Sequence, residues 1–421
     1  MTDSLADWLA RLEQRTPESK IRLGLDRVRA VLERLPGGAP TAPVITVGGT
    51  NGKGSVVAML EAIYAAAGYR VLAYTSPHLL YFSERIRIDT IPADEATIVA
   101  ALEEVERCRQ SIDLTYFEHV TLAAIRLGTL MHPDVLVLEV GLGGRLDAVN
   151  VIEPDVSVIT SIGLDHVEWL GGTRRSIARE KGGIARSGKP LIVGERRPPS
   201  GWINELAQTG AQLWLAGRDF RWQRAGRKMR LSNGDSVTDL PPPALPGRHQ
   251  WSNAACAVMA AGAIQSRLPV SQRALAAGLQ NVRIPGRMQK LKQRPAVWVD
   301  VAHNPQSARA LAYMLKADSV PTTAVFSALE GKDVRAIGAA LHEHVDRWIV
   351  SSLASDRAVA SRTLAKALCL GAVGARIETV ESVAVAVERA FELTPPDGRI
   401  VVFGSFRTVA EAWPIIQHRE N

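Results

Sequence analysis

Residues 44–55 read VITVGGTNGKGS, and this stretch constrains the fold more than any other part of the 421-residue chain. Val44-Ile45-Thr46-Val47 reads as a short buried strand. A glycine-rich turn follows, and then a helix-forming run from Lys53 to Ala67. Backbone N–H groups in such a turn cradle phosphates, and the helix N-terminus adds a favourable dipole. The reading is a phosphate loop, with Lys53 reaching the outer phosphates and Ser55 starting the helix with a hydroxyl. The spacing departs from GxxxxGK[ST]. Gly54 separates Lys53 from Ser55, and only three residues separate Gly48 from Gly52.

Around this loop the chain alternates strand-like and helix-like segments, which argues for a mostly parallel α/β sheet. Helices are expected over 3–14, 24–35, 94–110, 118–131 and 173–187. Val71–Tyr74, Asp134–Val140, Asp155–Ser161 and Pro190–Val193 are apolar runs too short for helices, and read as strands. The stretch 211–240 reads as short antiparallel strands, with a turn at Ala225-Gly226. Two Ala-rich helices follow near 250–266 and 271–280. After Ile284-Pro285-Gly286 the alternation restarts, with strands at Ala296–Asp300, Thr322–Phe326, near Trp348 and at Ile400–Phe403. That restart suggests a second α/β unit of ordinary domain size.

Composition excludes several classes. Hydrophobic residues make up 46% and charged residues 22%, an ordinary globular balance. Cys108, Cys256 and Cys369 stand far apart, so neither a zinc knuckle nor a disulfide framework is expected. The N-terminal MTDSLADWLARLEQR carries acids and lacks the apolar segment of a signal peptide. No run of about 18 apolar residues occurs, so no membrane span is expected and the location read is cytoplasmic. Fifty Lys and Arg against 43 Asp and Glu give a net charge of +7. The densest basic run, Arg218 to Arg230, reads as a solvated hairpin face rather than a nucleic-acid stripe.

Beyond the loop, further segments narrow the reading. They are TSPHLLYFSERIRI (75–88), LTYFE (114–118), LEVGLGGRLDAVN (138–150), TSIGLDHVEWLG (160–171), REKGGI (179–184), PGRMQ (285–289), DVAHNP (300–305) and FGSF (403–406). With GTNGKGS, in collinear order over nearly the whole chain, they resemble folylpolyglutamate synthases of the Mur ligase superfamily. LTYFE and LGGRLD resemble the bacterial bifunctional dihydrofolate synthase/folylpolyglutamate synthases. The resemblance implies a P-loop-containing Mur ligase-like N-terminal α/β domain over 1–285 and a smaller Rossmann-like C-terminal domain over 286–421. It also implies ATP and folate in the cleft between them. The implied reaction is ATP-dependent: L-glutamate is joined to 7,8-dihydropteroate, and then to tetrahydrofolates, through an acyl phosphate. Magnesium, two ions, is the implied cofactor, and a monomer binding only small molecules, without nucleic acid or membrane, is the implied state. A monofunctional folylpolyglutamate synthase is the alternative, and a nucleic-acid-dependent P-loop NTPase a distant one.

Site residues come over position by position. Asn51, Gly52, Lys53, Gly54 and Ser55 form the phosphate loop, joined at the nucleotide by Asn253, Arg287, Asp300 and His303. Asn253 carries an amide suited to adenine edges, and Asp300 a carboxylate suited to ribose hydroxyls. Ser76, Glu139, His166 and Lys181 match metal ligands, Lys181 as an N-carboxylated side chain. Glu139 also has a reading of its own: a carboxylate ending an apolar strand is costly to bury unless paired or metal-bound. Alone, His166 would suggest zinc or manganese rather than magnesium. Lys53, Lys181 and His166 are the expected catalytic groups. Thr115, Tyr116, Phe117 and Glu118, with Leu146, Asp147 and Ala148, match the dihydropteroate pocket. Arg22, Leu23, Gly24 and Leu25 either join that pocket or begin a helix. His119 is expected to be a wall residue, not a catalyst. In EGKDV (330–334) the match is partial, and no site residue is expected there.

Overall fold

The computed structural model describes residues 3–234 and 236–419, so positions 1 and 421, the outer ends of the two expected domains, lie outside the described residues. The chain divides into two compact units. The first comprises residues up to Gly163, Gly172–Ala244 and Gln250–Arg283. The second comprises Leu164–Gly171, Leu245–His249 and the chain from Ile284.

The first unit is built on eight strands: β1 (Val44–Gly48), β2 (Val71–Tyr74), β3 (Ile86–Ile88), β4 (Ile91–Pro92), β5 (Val135–Glu139), β6 (Val156–Ile159), β7 (Pro190–Val193) and β8 (Gln212–Leu215). Their order is β4-β3-β2-β5-β1-β6-β7-β8. From β2 to β8 neighbours are parallel, while β3 and β4 pair antiparallel at one edge. The central strands VITVG and VLVLE are buried at every residue, as continuous apolar runs in a sheet covered on both faces must be. Covering them are α1 (Leu5–Arg15), α2 (Asp26–Leu32), α3 (Lys53–Ala66), α4 (Glu95–Arg109) and α5 (Tyr116–Leu130). Ser4, Asp94 and Thr115 each accept a backbone N–H in the first turn of α1, α4 and α5 respectively, which fixes where these helices begin.

Three expectations are corrected. Helix α2 starts at Asp26, not at 24, because Gly24 sits at φ +145° and donates its N–H to Leu146. The helix expected over 173–187 ends at Gly182, in a run carrying Gly182, Gly183 and Gly188. Residues 211–240 are not all antiparallel: β8 extends the main sheet parallel to β7, because a helix lies between the two strands and carries the chain across. The remainder, β9 (Phe220–Ala225), β10 (Lys228–Asn233) and β11 (Ser236–Leu240), forms a separate antiparallel sheet.

The second unit carries β12 (Gln289–Gln293), β13 (Ala296–Val299), β14 (Thr322–Phe326), β15 (Arg347–Ser351), β16 (Arg376–Val380) and β17 (Arg399–Phe403) in the order β12-β13-β17-β14-β15-β16. Only β12 is antiparallel to its neighbour. Phe326, Trp348 and Phe403 meet in its core at ring separations of 5.1–5.9 Å.

Candidate active site

The first unit gathers its polar residues at the C-terminal edge of β2, β5, β1 and β6, where open α/β sheets bind ligands. The phosphate loop is held from β6. Thr50 N–H donates to the Ser161 carbonyl at 2.8 Å, and Asn51 N–H donates to the Ser161 hydroxyl at 3.1 Å. The hydroxyls of Thr160 and Ser161 donate back to the Asn51 carbonyl at 2.7 and 3.0 Å. Glycine is required at two points. A Cβ on Gly49, at φ +142°, would stand 1.9 Å from the Thr160 hydroxyl, and one on Gly52, at φ +92°, would stand 2.5 Å from the Asn253 amide oxygen.

Asn253 therefore lies against the loop. Its amide donates to Gln250, whose own amide donates to the Ser55 hydroxyl at 3.3 Å. These contacts join Asn253, expected to carry an amide for adenine edges, to the loop residues Gly52 and Ser55. Lys53 Nζ folds onto its own loop, 3.2 Å from the Gly49 carbonyl and 3.5 Å from that of Thr50. Lys181 Nζ, buried, donates to the same Gly49 oxygen at 2.9 Å.

Glu139 ends β5, directly beside Val47 of β1, with 5% of its surface exposed. Ser76 follows β2, and its N–H donates to Glu139 at 3.3 Å. These are hard oxygen donors beside a phosphate cradle, a set that fits a magnesium- or manganese-class ion bound together with phosphates. An unmodified Lys181 ammonium donates only and fits no metal; an N-carboxylated one would present oxygens. Among the described residues no cluster of three or more His, Cys, Asp or Glu forms a protein-only metal site.

The expected substrate segments come together beside this edge. The Phe117 ring packs on Gly141, two residues past Glu139; a Cβ there would stand 2.5 Å from the ring. Asp147 accepts the N–H groups of Leu142 and Val149 at 2.7 and 3.0 Å. Burial pushes its carboxyl up to about 6, against the opposing pull of those N–H groups and of the Lys53 charge. Arg145 N–H donates to Glu180, tying the 141–148 turn to the helix that carries Lys181. Residues Arg22 to Leu25 lie with this group: Gly24 reaches Leu146 at 3.2 Å, and Arg22 pairs with Asp113 at 2.5 Å. Arg27, which sequence reasoning missed, bridges the Arg22 carbonyl and the buried Glu118 at 2.9 and 2.6 Å. Glu118 in turn caps α5 through the Thr115 N–H.

His119 faces away from these segments. One ring nitrogen meets the Leu102 carbonyl at 3.1 Å and the ring packs near Trp8, so it is a core residue. Burial lowers its pKa to about 4, which keeps it neutral.

The second unit has its own polar cluster, centred on Asp165. His303 Nε2, Asn304 Nδ2 and Lys332 Nζ approach the Asp165 carboxylate at 3.1, 3.0 and 2.5 Å. His303 and Lys332, with His166 nearby, hold the carboxyl far below its ordinary range despite burial. Neither Asp165 nor Lys332 stood among the expected site residues, although both lie inside segments noted for other reasons, GLDH and EGKDV. His166 stands beside Asp165 at φ +51°. Asp300, at the end of β13, accepts the N–H groups of Met288 and Ala302 at 2.8 Å each, and burial raises its carboxyl. Arg287 lies over the Phe406 ring at 5.2 Å.

Residues 47–261 match the Mur ligase middle domain, and residues 286–406 match the Mur ligase glutamate ligase domain. The dihydrofolate synthase/folylpolyglutamate synthase of Escherichia coli K12 is 40% identical over 420 residues, 99% of this chain and 96% of that one. The structure of E. coli FolC in complex with DHPP and ADP superposes with a TM-score of 0.92 at 39% identity, covering 100% of this chain and 99% of that one. A bifunctional folylpolyglutamate synthase/dihydrofolate synthase with Mn, AMPPNP and L-glutamate bound gives 0.90 at 40% identity, covering 98% of each. No helix among the described residues is long and apolar enough to cross a membrane.

Proposed function

We propose the following division of labour for this chain, which belongs to the Mur ligase family and, within it, to the dihydrofolate synthase/folylpolyglutamate synthases. The enzyme is an ATP-dependent ligase that adds L-glutamate to dihydropteroate, giving dihydrofolate, and to folates, giving folylpolyglutamates.

A carboxylate is a poor acyl donor because its leaving group is oxide. Attack of a substrate carboxylate oxygen on the γ-phosphorus of ATP releases ADP and leaves an acyl phosphate. The glutamate amine then attacks the acyl carbon, phosphate departs from the tetrahedral intermediate, and the nitrogen loses a proton to give the amide. Both steps call for positioning and charge neutralisation more than for a protein nucleophile. In our reading Asn51 to Ser55 cradle the phosphates, Lys53 neutralises charge on the transferred group, and Asn253 supports the loop. Arg287, Asp300 and His303 of the second unit also bind nucleotide. Ser76, Glu139, His166 and an N-carboxylated Lys181 are the residues for two magnesium ions, which when bound neutralise phosphate charge. Thr115–Glu118, Leu146–Ala148 and Arg22–Leu25 bind the pterin. The enzyme acts as a cytoplasmic monomer on small molecules alone.

The observation that carries this reading is the convergence, at one sheet edge, of the phosphate loop, the Ser76–Glu139 pair and the Phe117–Gly141 contact. Phosphate release with ATP and magnesium tests it, using dihydropteroate plus glutamate and, separately, tetrahydrofolate plus glutamate. Turnover that requires both partners in each assay is expected. Silence in the first assay alone would leave only the polyglutamate activity.

A further inference from the structure

The strongest unassigned feature near the site is an ion pair between a buried carboxylate and a partly buried guanidinium, to which the proposed function gives no role. Glu61 lies on α3, two turns below the phosphate loop, with 3% of its surface exposed. Arg87, on β3, meets it with a fork: Nε donates to the two carboxylate oxygens at 3.2 and 3.0 Å, and Nη2 donates at 2.8 Å. The guanidinium's remaining nitrogen reaches elsewhere. Nη1 donates to the Thr75 hydroxyl at 2.9 Å and to the Glu84 carbonyl at 2.7 Å.

Thr75 and Glu84 are the two ends of the loop that carries Ser76. Thr75 N–H also donates to the Arg85 carbonyl, closing the loop's neck, and the Glu84 carboxylate accepts the N–H groups of Leu79, Leu80 and Tyr81 at 2.8 Å each. One guanidinium therefore fixes both ends of this loop to the phosphate-loop helix. A buried ion pair contributes little to net stability compared with apolar residues of similar size. Its planar fork does provide orientation. The residue it orients, Thr75, immediately precedes Ser76, whose N–H meets Glu139.

We propose that Arg87, anchored by Glu61, is a positioning residue for the metal site: it sets Ser76 against Glu139 in a fixed relation to the phosphate loop. The proposal rests on the reading of Ser76 and Glu139 as metal ligands. Arg87 touches neither substrate nor metal, and acts through Thr75.

The test is Mn2+ binding to the protein–AMPPNP complex, followed by the EPR signal of free Mn2+, with AMPPNP affinity in EDTA measured alongside. Glu61→Met combined with Arg87→Met removes both charges and leaves no buried ion unpaired. Thr75→Val removes one contact and keeps the pair. The double variant is expected to weaken Mn2+ binding about tenfold or more, the range for removing a group that orients a ligand, with nucleotide affinity in EDTA unchanged. Thr75→Val is expected to shift Mn2+ affinity in the same direction by less, and it decides the matter if the double variant does not fold. Wild-type Mn2+ affinity in the variants, or an equal loss of metal-free nucleotide binding, would overturn the positioning role. Failure of wild type to bind Mn2+, or binding undiminished in Glu139→Gln, would overturn the metal reading beneath it.

Discussion

Lys53 and Lys181 donate to one oxygen, the carbonyl of Gly49, from 3.2 and 2.9 Å. Removing Lys181 leaves that carbonyl a partner, so the fold should survive while the site loses a charged group. Lys181→Ala is expected to cut turnover by roughly 100-fold or more, the scale for losing one electrostatic group at a transition state. The melting temperature should stay near that of wild type. Phosphate release and a thermal scan check both. Near-wild-type turnover at ordinary magnesium would rule out a role for a modified lysine.

Asp147 makes stability depend on pH in a definite direction. Its carboxyl is raised from 3.8 to about 6 by burial. A raised group stabilises the fold fully below its unfolded pKa and loses that contribution as pH rises through the folded one. That difference corresponds to about 3 kcal/mol. Between pH 4 and 6.5 wild type should therefore lose more stability than Asp147→Asn. Urea unfolding at both pH values measures this, and a difference that does not change with pH would refute it.

His119 works in the opposite sense. Its pKa is lowered from 6.5 to about 4 by burial, so its contribution is present above 6.5 and is lost as pH falls towards 4. His119→Phe should flatten that acid limb by about 3 kcal/mol and leave turnover intact. A variant with normal acid sensitivity, or without activity, would contradict the core assignment.

Asp165 neutralises groups that cannot readily do without it. Asp165→Ala leaves Lys332 and His303 partly buried without their carboxylate, and should cost about 3–5 kcal/mol. Adding Lys332→Met should recover part of the loss. Equilibrium denaturation of the single and double variants reads the coupling, and strict additivity would argue against it.

Arg27 ties the Arg22–Leu25 segment to Glu118. Arg27→Met should raise the KM for dihydropteroate roughly tenfold, the scale of one charged hydrogen bond, and leave the KM for ATP unchanged. Steady-state kinetics with each substrate varied in turn checks the split. A rise in both constants would mean the loop is only structural.

The central strands and the phosphate loop were legible because the signals are local: an apolar run, a glycine turn, a helix start. Polar edge strands such as QKLKQ at 289–293 carry no such pattern, and β12 was not anticipated. In the candidate site, motifs named Glu139, Ser76 and the segments expected to meet the pterin. Partners joined only by tertiary folding stayed hidden. Lys332 meets Asp165 across 167 positions, Arg27 meets Glu118 across 91, and Arg87 meets Glu61 across 26. Each is an ordinary charged side chain until the fold gives it a neighbour. Asn253 is similar: its residue type says that it carries an amide, and only the fold sets that amide beside Gly52.

The small antiparallel sheet has a practical consequence. β9 and β10 pair residue for residue up to Ala225 and Lys228, leaving Gly226 and Arg227 as a two-residue turn with Gly226 at φ +62°. Both turn residues are solvent-facing, and the sheet is separate from the one that carries the candidate site. A chain opened at such a tip tolerates extra residues. That makes Gly226-Arg227 the place to splice in a fluorophore-binding peptide, giving a ligase whose location and fate can be followed by light while its chemistry runs undisturbed.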